Sequence, residues 1–170
     1  DGTVVTYYYK NKNEEHTHTW SAWKYNNDAV YNSSSDYKDG TQTRTCSACG
    51  ESETKEAPNT ALLRRRGNAL SLESSITLAT YITKDVVDYY DEVYAEFTRN
   101  GKTEKVYPSG KTLTSNSIVY CIFDYTGISP QALGDDVSIT FYGVTDGVTY
   151  NGNAYKSSAP DYITSTLNKH

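Results

Sequence analysis

The chain has 170 residues with a formal net charge of −5, and only 36% of its positions are hydrophobic. Lys and Arg number 16 against 21 Asp and Glu, so no basic field is present to neutralise a phosphate backbone, and nucleic acid is not an expected partner. No apolar run approaches the ~20 residues that cross a bilayer as a helix, so membrane insertion is not expected either.

Seventeen tyrosines stand in for scarce aliphatic residues. A tyrosine buries its ring while its hydroxyl stays wet, which suits thin β-structures and contact surfaces. The many Ser, Thr and Asn and the absence of Met read as a secreted β-protein. The abrupt beginning "DGTVVTYYYK" and the end "STLNKH" read as a mature form or a fragment.

Residues 1–57 form a polar, turn-rich small unit. Strands are expected in "TVVTYYYK" (3–10), "TWSAWKY" (19–25) and "TQTRTC" (41–46), separated by the Asn-, Asp- and Ser-rich stretch between them. Tyr7–Tyr9 must project rings to both sides of a strand. Trp20 and Trp23, three apart, are placed on opposite faces of a regular strand. A core this thin needs a metal or a disulfide to help it hold together. Residues 58–68, punctuated by Pro58 and Gly67, read as a linker whose Arg64–Arg66 run is a solvated hinge.

From residue 69 to 170 the pattern changes to period-two alternation. Ile76, Leu78, Thr80 and Ile82 share one face, as do Val119, Cys121, Phe123 and Tyr125, and Val137, Ile139 and Phe141. The segment 84–92 is a turn or a helical turn. Asn100–Gly101 and Asp146–Gly147 are hairpin signals, because these residue types tolerate positive φ. The tail from Ser157, with Pro160 in its first turn, predicts a short C-terminal helix. About seven short strands with turns every 8–12 residues predict an all-β fold: the small Cys/His-containing unit followed by an antiparallel immunoglobulin-like β-sandwich.

The chemistry concentrates in "HTHTW" and "RTCSACG". Cys46-x-x-Cys49 delivers two thiolates from one tight turn eased by Gly50, and His16 and His18 share a face on a straight strand. Together these four residues could hold a structural zinc ion. A Cys46–Cys49 disulfide suits an oxidising exterior equally well, and two thiols beside solvated histidines are the third reading. Cys121 lies in an apolar run and reads as a small core residue. The acids Asp85, Asp88, Asp91 and Glu92 sit on one turn, not across a cleft as a glycosidase pair would, and they miss the EF-hand spacing. With three histidines, one of them at position 170, no Ser-His-Asp set is suggested. No catalytic residue is assigned.

The residues "HTHTWSAW" and "DGTQTRTCSACGESETKEAP" resemble a small repeat of surface proteins in gut Firmicutes. Its pattern is His-x-Trp or Tyr, a Cys, a Gly, then Arg-x-Cys-x-x-Cys-Gly and a Pro. Here Tyr31 stands near the position of the repeat's first Cys. "SLESSITLATYITKD", "YAEFTRNGKTEKV" and "YCIFDYTGISPQALGDDVSITFYG" resemble a module that follows in large secreted or wall-attached proteins of the same Gram-positive bacteria. The resemblance covers most of the chain and implies an extracellular place more than an activity.

The expected function is therefore a non-catalytic binding or spacer module, adhering to a glycan or to a host or bacterial surface protein. A dedicated polysaccharide-binding module and an accessory domain of a secreted enzyme are the alternatives. Sugar contact would fall to exposed rings that stack on pyranoses. The candidates are Trp20, Trp23 and Tyr25 in the small unit, and Tyr89, Tyr90 and Tyr94 near the acidic turn.

Overall fold

Strict in-out alternation is the feature that shapes the larger part of the molecule. A computed structural model describes residues 17–72, 75–132, 134–158, 160 and 162. The strand expected over 3–10, with its tyrosine run, lies outside the described residues. So does most of the expected C-terminal helix, of which one turn is visible where Tyr162 N–H donates to Ser158 O at 3.1 Å.

The small unit contributes β1 (Lys24–Tyr25), β2 (Val30–Ser33), β3 (Asp36–Lys38), β4 (Gly40–Thr45) and β5 (Ser52–Ala57). Antiparallel β1, β4 and β5 form one sheet, and β2 and β3 form a separate hairpin. The stretch 19–25 pairs regularly only at β1 and through a bridge between Trp20 and Cys46. It is thus less regular than the strand expected there.

The larger part contains β6 (Gly67–Leu72), β7 (Ile76–Thr83), α1 (Lys84–Tyr89), β8 (Glu92–Arg99) and β9 (Lys102–Val106). It continues with β10 (Thr112–Ser115), β11 (Ile118–Ile128), β12 (Val137–Thr145), β13 (Val148–Asn151) and β14 (Tyr155–Ser157). One sheet runs β10-β11-β7-β6, and the other runs β13-β12-β8-β9 with β14 also on β12. Lettered in chain order, these are the A-B-E-D and C′-C-F-G sets of an immunoglobulin-like sandwich, with the last strand split in two.

The alternation expected from the sequence holds except at Val119, which is only half-buried near the start of β11. Leu78, Thr80 and Ile82 on β7, Cys121, Phe123 and Tyr125 on β11, and Val137, Ile139 and Phe141 on β12 are all buried. The three phenylalanines of the chain, Phe97, Phe123 and Phe141, are fully buried at 0% exposure. Phe123 meets Phe141 edge-on at 5.2 Å, and Phe97 stacks on Tyr125 at 4.8 Å. Burying each such ring contributes about 1.5–3 kcal/mol, so these pairs weld one sheet to the other without an inter-sheet disulfide. Asn100–Gly101 and Asp146–Gly147 make the expected two-residue turns, all four with positive φ. A third such turn, Asn116–Ser117, joins β10 to β11.

Residues 58–68 join the two units, but they are not a free tether. Thr60–Leu62 forms a short 3-10 turn, and Thr60 and Leu63 are 1% and 0% exposed. Asp39 accepts the N–H groups of Asn59 and Ala61 at 2.8 and 2.9 Å. Gly40 N–H donates to the Thr60 hydroxyl, which donates to Ala57 O, both at 2.8 Å. On the sandwich side, Gly152 passes so close that a Cβ there would lie 1.6 Å from Leu63 O. The glycine is required by that approach. Above it, Tyr150 donates its buried hydroxyl to Gln42 Oε1 at 2.9 Å, and Tyr25 packs edge-on against Tyr150 at 5.3 Å.

Candidate metal centre and contact surfaces

The hairpin between β4 and β5 builds the first site. Cys46 N–H donates to Glu51 O at 2.8 Å and Gly50 N–H donates to Cys46 O at 2.9 Å. This double closure forces the chain to turn within four residues, and Gly50 takes the positive φ of 77° that the turn demands. The residues 19–21 run antiparallel alongside: Ser47 N–H donates to Thr19 O and Ser21 N–H to Thr45 O, both at 2.9 Å. That pairing carries His18 to the two cysteines.

The possible ligand atoms of His18, Cys46 and Cys49 all lie within 4.8 Å of one another. His18 Nδ1 is 3.6 Å from Cys49 Sγ. Its other nitrogen, Nε2, faces Glu51 Oε2 at 3.6 Å. Cys46 is buried and Cys49 exposed, and the two sulfurs are not joined as a disulfide. The Glu51 N–H draws the Cys49 pKa down, but desolvation and the adjacent Cys46 sulfur outweigh it, and the net shift is upward. Of the four expected ligands the fold thus assembles three. His16 lies outside the described residues. Glu51 went unnoticed in the sequence, although its place directly after Cys-x-x-Cys-Gly puts it across the hairpin from Cys46.

The tryptophans do not stand on opposite faces. The irregular stretch between them lets one cation serve both: the Arg44 guanidinium lies 4.9 Å from the Trp20 ring centre and 4.6 Å from that of Trp23. His18 stacks on Trp20 at 4.7 Å, and Lys55 sits 4.4 Å over Trp23. Arg44 is in turn ion-paired with Glu53. The two indoles are half-buried members of a cation–aromatic stack that also orients His18.

The other ring candidates occupy different places. Tyr25 is half-buried at the junction, where burial raises its pKa against the opposing effect of the Thr60 hydroxyl. Tyr90 is 6% exposed, donates to Pro58 O at 3.1 Å and lies against Gly143. Burial pushes its hydroxyl well above the usual tyrosine range. Tyr94 is 8% exposed, with Lys105 at 3.5 Å over its ring and Tyr142 stacked on it at 5.0 Å. Tyr89 alone of the three near the acidic turn is exposed, at 44%. Tyr90 and Tyr94 are therefore packing residues whose rings are already covered. The acidic turn itself is solvated: Asp88 pairs with Lys84 at 2.6 Å and Glu92 with Lys105 at 3.1 Å.

A second concave feature lies at the junction of the two units. Its walls include Asn27 and Tyr31 from the small unit, Arg64 from the connecting segment, and Asn151, Asn153 and Tyr155 from the sandwich. The arginine run expected to be a solvated hinge is packed on rings. Arg64 lies 3.3 Å over Tyr31 and also donates to its hydroxyl, and Arg65 lies 5.3 Å over Tyr155. No sequence signal points to this crevice, since its walls are separated by more than 120 positions. No known family model matches the chain, and no curated protein matches it significantly.

Proposed function

We propose that this chain is a non-catalytic extracellular module of a secreted or wall-attached bacterial protein, which contacts a glycan or a surface protein. The observation that carries the reading is the junction. A small sheet is locked to an immunoglobulin-like sandwich through Leu63, Gln42–Tyr150 and Gly152, leaving between them a crevice walled by amides, phenols and a guanidinium. Such walls recognise hydroxyl-rich partners and carry no reacting group. The resemblance of "HTHTWSAW", "RTCSACGE" and "YAEFTRNGK" to surface repeats and their companion module of gut Firmicutes supports the extracellular placement.

In the same reading, His18, Cys46 and Cys49 hold a structural zinc ion. Zinc binds imidazole at about 2.0–2.1 Å and thiolate at about 2.3 Å, so two such ligands at a tetrahedral angle stand about 3.6 Å apart. The His18 Nδ1 to Cys49 Sγ distance is 3.6 Å. Glu51 beside Nε2 matches the carboxylate that commonly fixes the tautomer of a metal-bound histidine. Zinc supplies charge and a crosslink here, tying the 17–20 segment to the hairpin in a unit too small to rely on its core.

Two measurements test these statements. Migration in native gels containing xylan, starch, pectin or mucin, with a surface-protein pull-down in parallel, reads contact. Retention by none of them, or turnover of any polymer by the chain, refutes the proposal. Metal analysis of the purified protein should find about one zinc per chain, lost in Cys46→Ser and Cys49→Ser. Zinc absent from the wild-type protein refutes the staple.

A further inference from the structure

We infer that the His18–Cys46–Cys49 centre is a redox switch: a hydroperoxide joins its two thiolates as a disulfide, and the zinc ion leaves. This rests on the zinc staple proposed above and names how that site is regulated. The two cysteines are placed unequally. Cys46 is 1% exposed, whereas Cys49 is exposed in the turn of the hairpin. They are not joined, yet their sulfurs lie within 4.8 Å of each other. The bond from Gly50 N–H to Cys46 O at 2.9 Å folds residues 46–50 into one tight turn. Closing to a disulfide, with S–S at ~2.05 Å, therefore needs side-chain rotation within that turn and no unpairing of β4 from β5. A metal-bound cysteine is a thiolate, and the thiolate is the nucleophilic form. In an extracellular setting, where disulfides persist, the exposed Cys49 sulfur is the one that meets oxidants.

Exposure sets the order of events. Cys49 Sγ attacks one peroxide oxygen, the O–O bond breaks, and the sulfur becomes a sulfenic acid as hydroxide leaves. Cys46 Sγ then attacks the Cys49 sulfur, the S–O bond breaks, and a second hydroxide leaves. The two sulfurs lose two electrons, the peroxide gains them, and solvent protons convert both hydroxides to water. Both thiolate donors are thereby lost, and a zinc site that needs four ligands cannot hold its ion. The Glu51 carboxylate, 3.6 Å from His18 Nε2, repels an anionic oxidant, so a neutral hydroperoxide is the class that fits. The new disulfide stays inside the β4–β5 hairpin. The tie from residues 17–20 to that hairpin falls back on the Trp20–Cys46 bridge and the backbone bonds of Thr19 and Ser21. Trp20, stacked on His18 at 4.7 Å, reports the change.

The test loads the full chain with zinc under reducing conditions, removes the reductant and titrates in hydrogen peroxide. Zinc captured by a chromogenic chelator should rise in step with the loss of two thiols, a mass lower by two hydrogens and a shift in tryptophan emission. A sulfenic-acid trap present during equimolar peroxide should label Cys49 at least about tenfold more than Cys46. Cys121, 8% exposed in the sandwich core, should stay unlabelled. A thiol reductant with added zinc should restore the metal and the original emission. Zinc retained through excess peroxide overturns the switch, as does labelling of Cys46 ahead of Cys49. Oxidation past the sulfenic state at equimolar peroxide without a disulfide, or a release that reductant and zinc do not reverse, overturns it equally. Each of these results leaves the staple standing. A reduced chain that takes up no zinc overturns the staple itself.

Discussion

Leu63→Ala tests whether the two units are one packed body. Leu63 sits in the segment that connects them and is 0% exposed, with its backbone carbonyl against Gly152. Removing a fully buried leucine costs about 2–5 kcal/mol, the lost transfer energy plus a cavity that closes only in part. For a chain of this size each kcal/mol lowers Tm by about 2–4 °C, so the expected loss is about 4–20 °C. A leucine in a solvated tether would cost under about 0.5 kcal/mol. Two probes separate the units: both tryptophans, Trp20 and Trp23, lie in the small one, whereas far-UV dichroism is dominated by the strands of the sandwich. The substitution should lower the transition seen by fluorescence and by dichroism together. A shift below about 2 °C in both, or a shift confined to one probe, refutes the packed junction.

Two further outcomes follow from buried and charged contacts. Tyr150→Phe removes the donor to Gln42 Oε1, and Gln42 is 5% exposed, so urea unfolding should show a loss of about 1–3 kcal/mol from the orphaned acceptor. An unchanged midpoint would show that the bond contributes nothing. Asp28 accepts from Thr41 N–H and from the Thr41 hydroxyl, and the backbone bond first among these holds its pKa below the usual value. A depressed carboxylate stabilises above its unfolded pKa of about 3.9, and that contribution is lost as pH falls through the folded value. Asp28→Asn should therefore lower Tm at pH 7, and the difference from the wild type should shrink progressively as pH falls below about 3.9. A difference that persists at low pH contradicts the assignment.

Much of this molecule is legible in short stretches of sequence, because the signals concerned act over a few residues. Alternation fixed the buried faces of β7, β11 and β12, since successive side chains of a strand must point oppositely. Asn100–Gly101 and Asp146–Gly147 set their hairpins through tolerance of positive φ, and Cys46-x-x-Cys49-Gly50 announced a two-thiol turn. The strand order, the junction and the crevice depended on partners far along the chain. Leu63 is apolar in a polar stretch, and only the approach of Gly152 shows why it is buried. Trp20 and Trp23 are separated by an irregular segment, so the period of a strand did not govern them and Arg44 brought them to one side. Tyr90 and Tyr94 look like exposed rings until Gly143, Tyr142 and Lys105 cover them. Asn27 and Asn151 become neighbours across 124 positions. Local preference dictates which way a side chain leaves the backbone, and tertiary packing decides what it meets there.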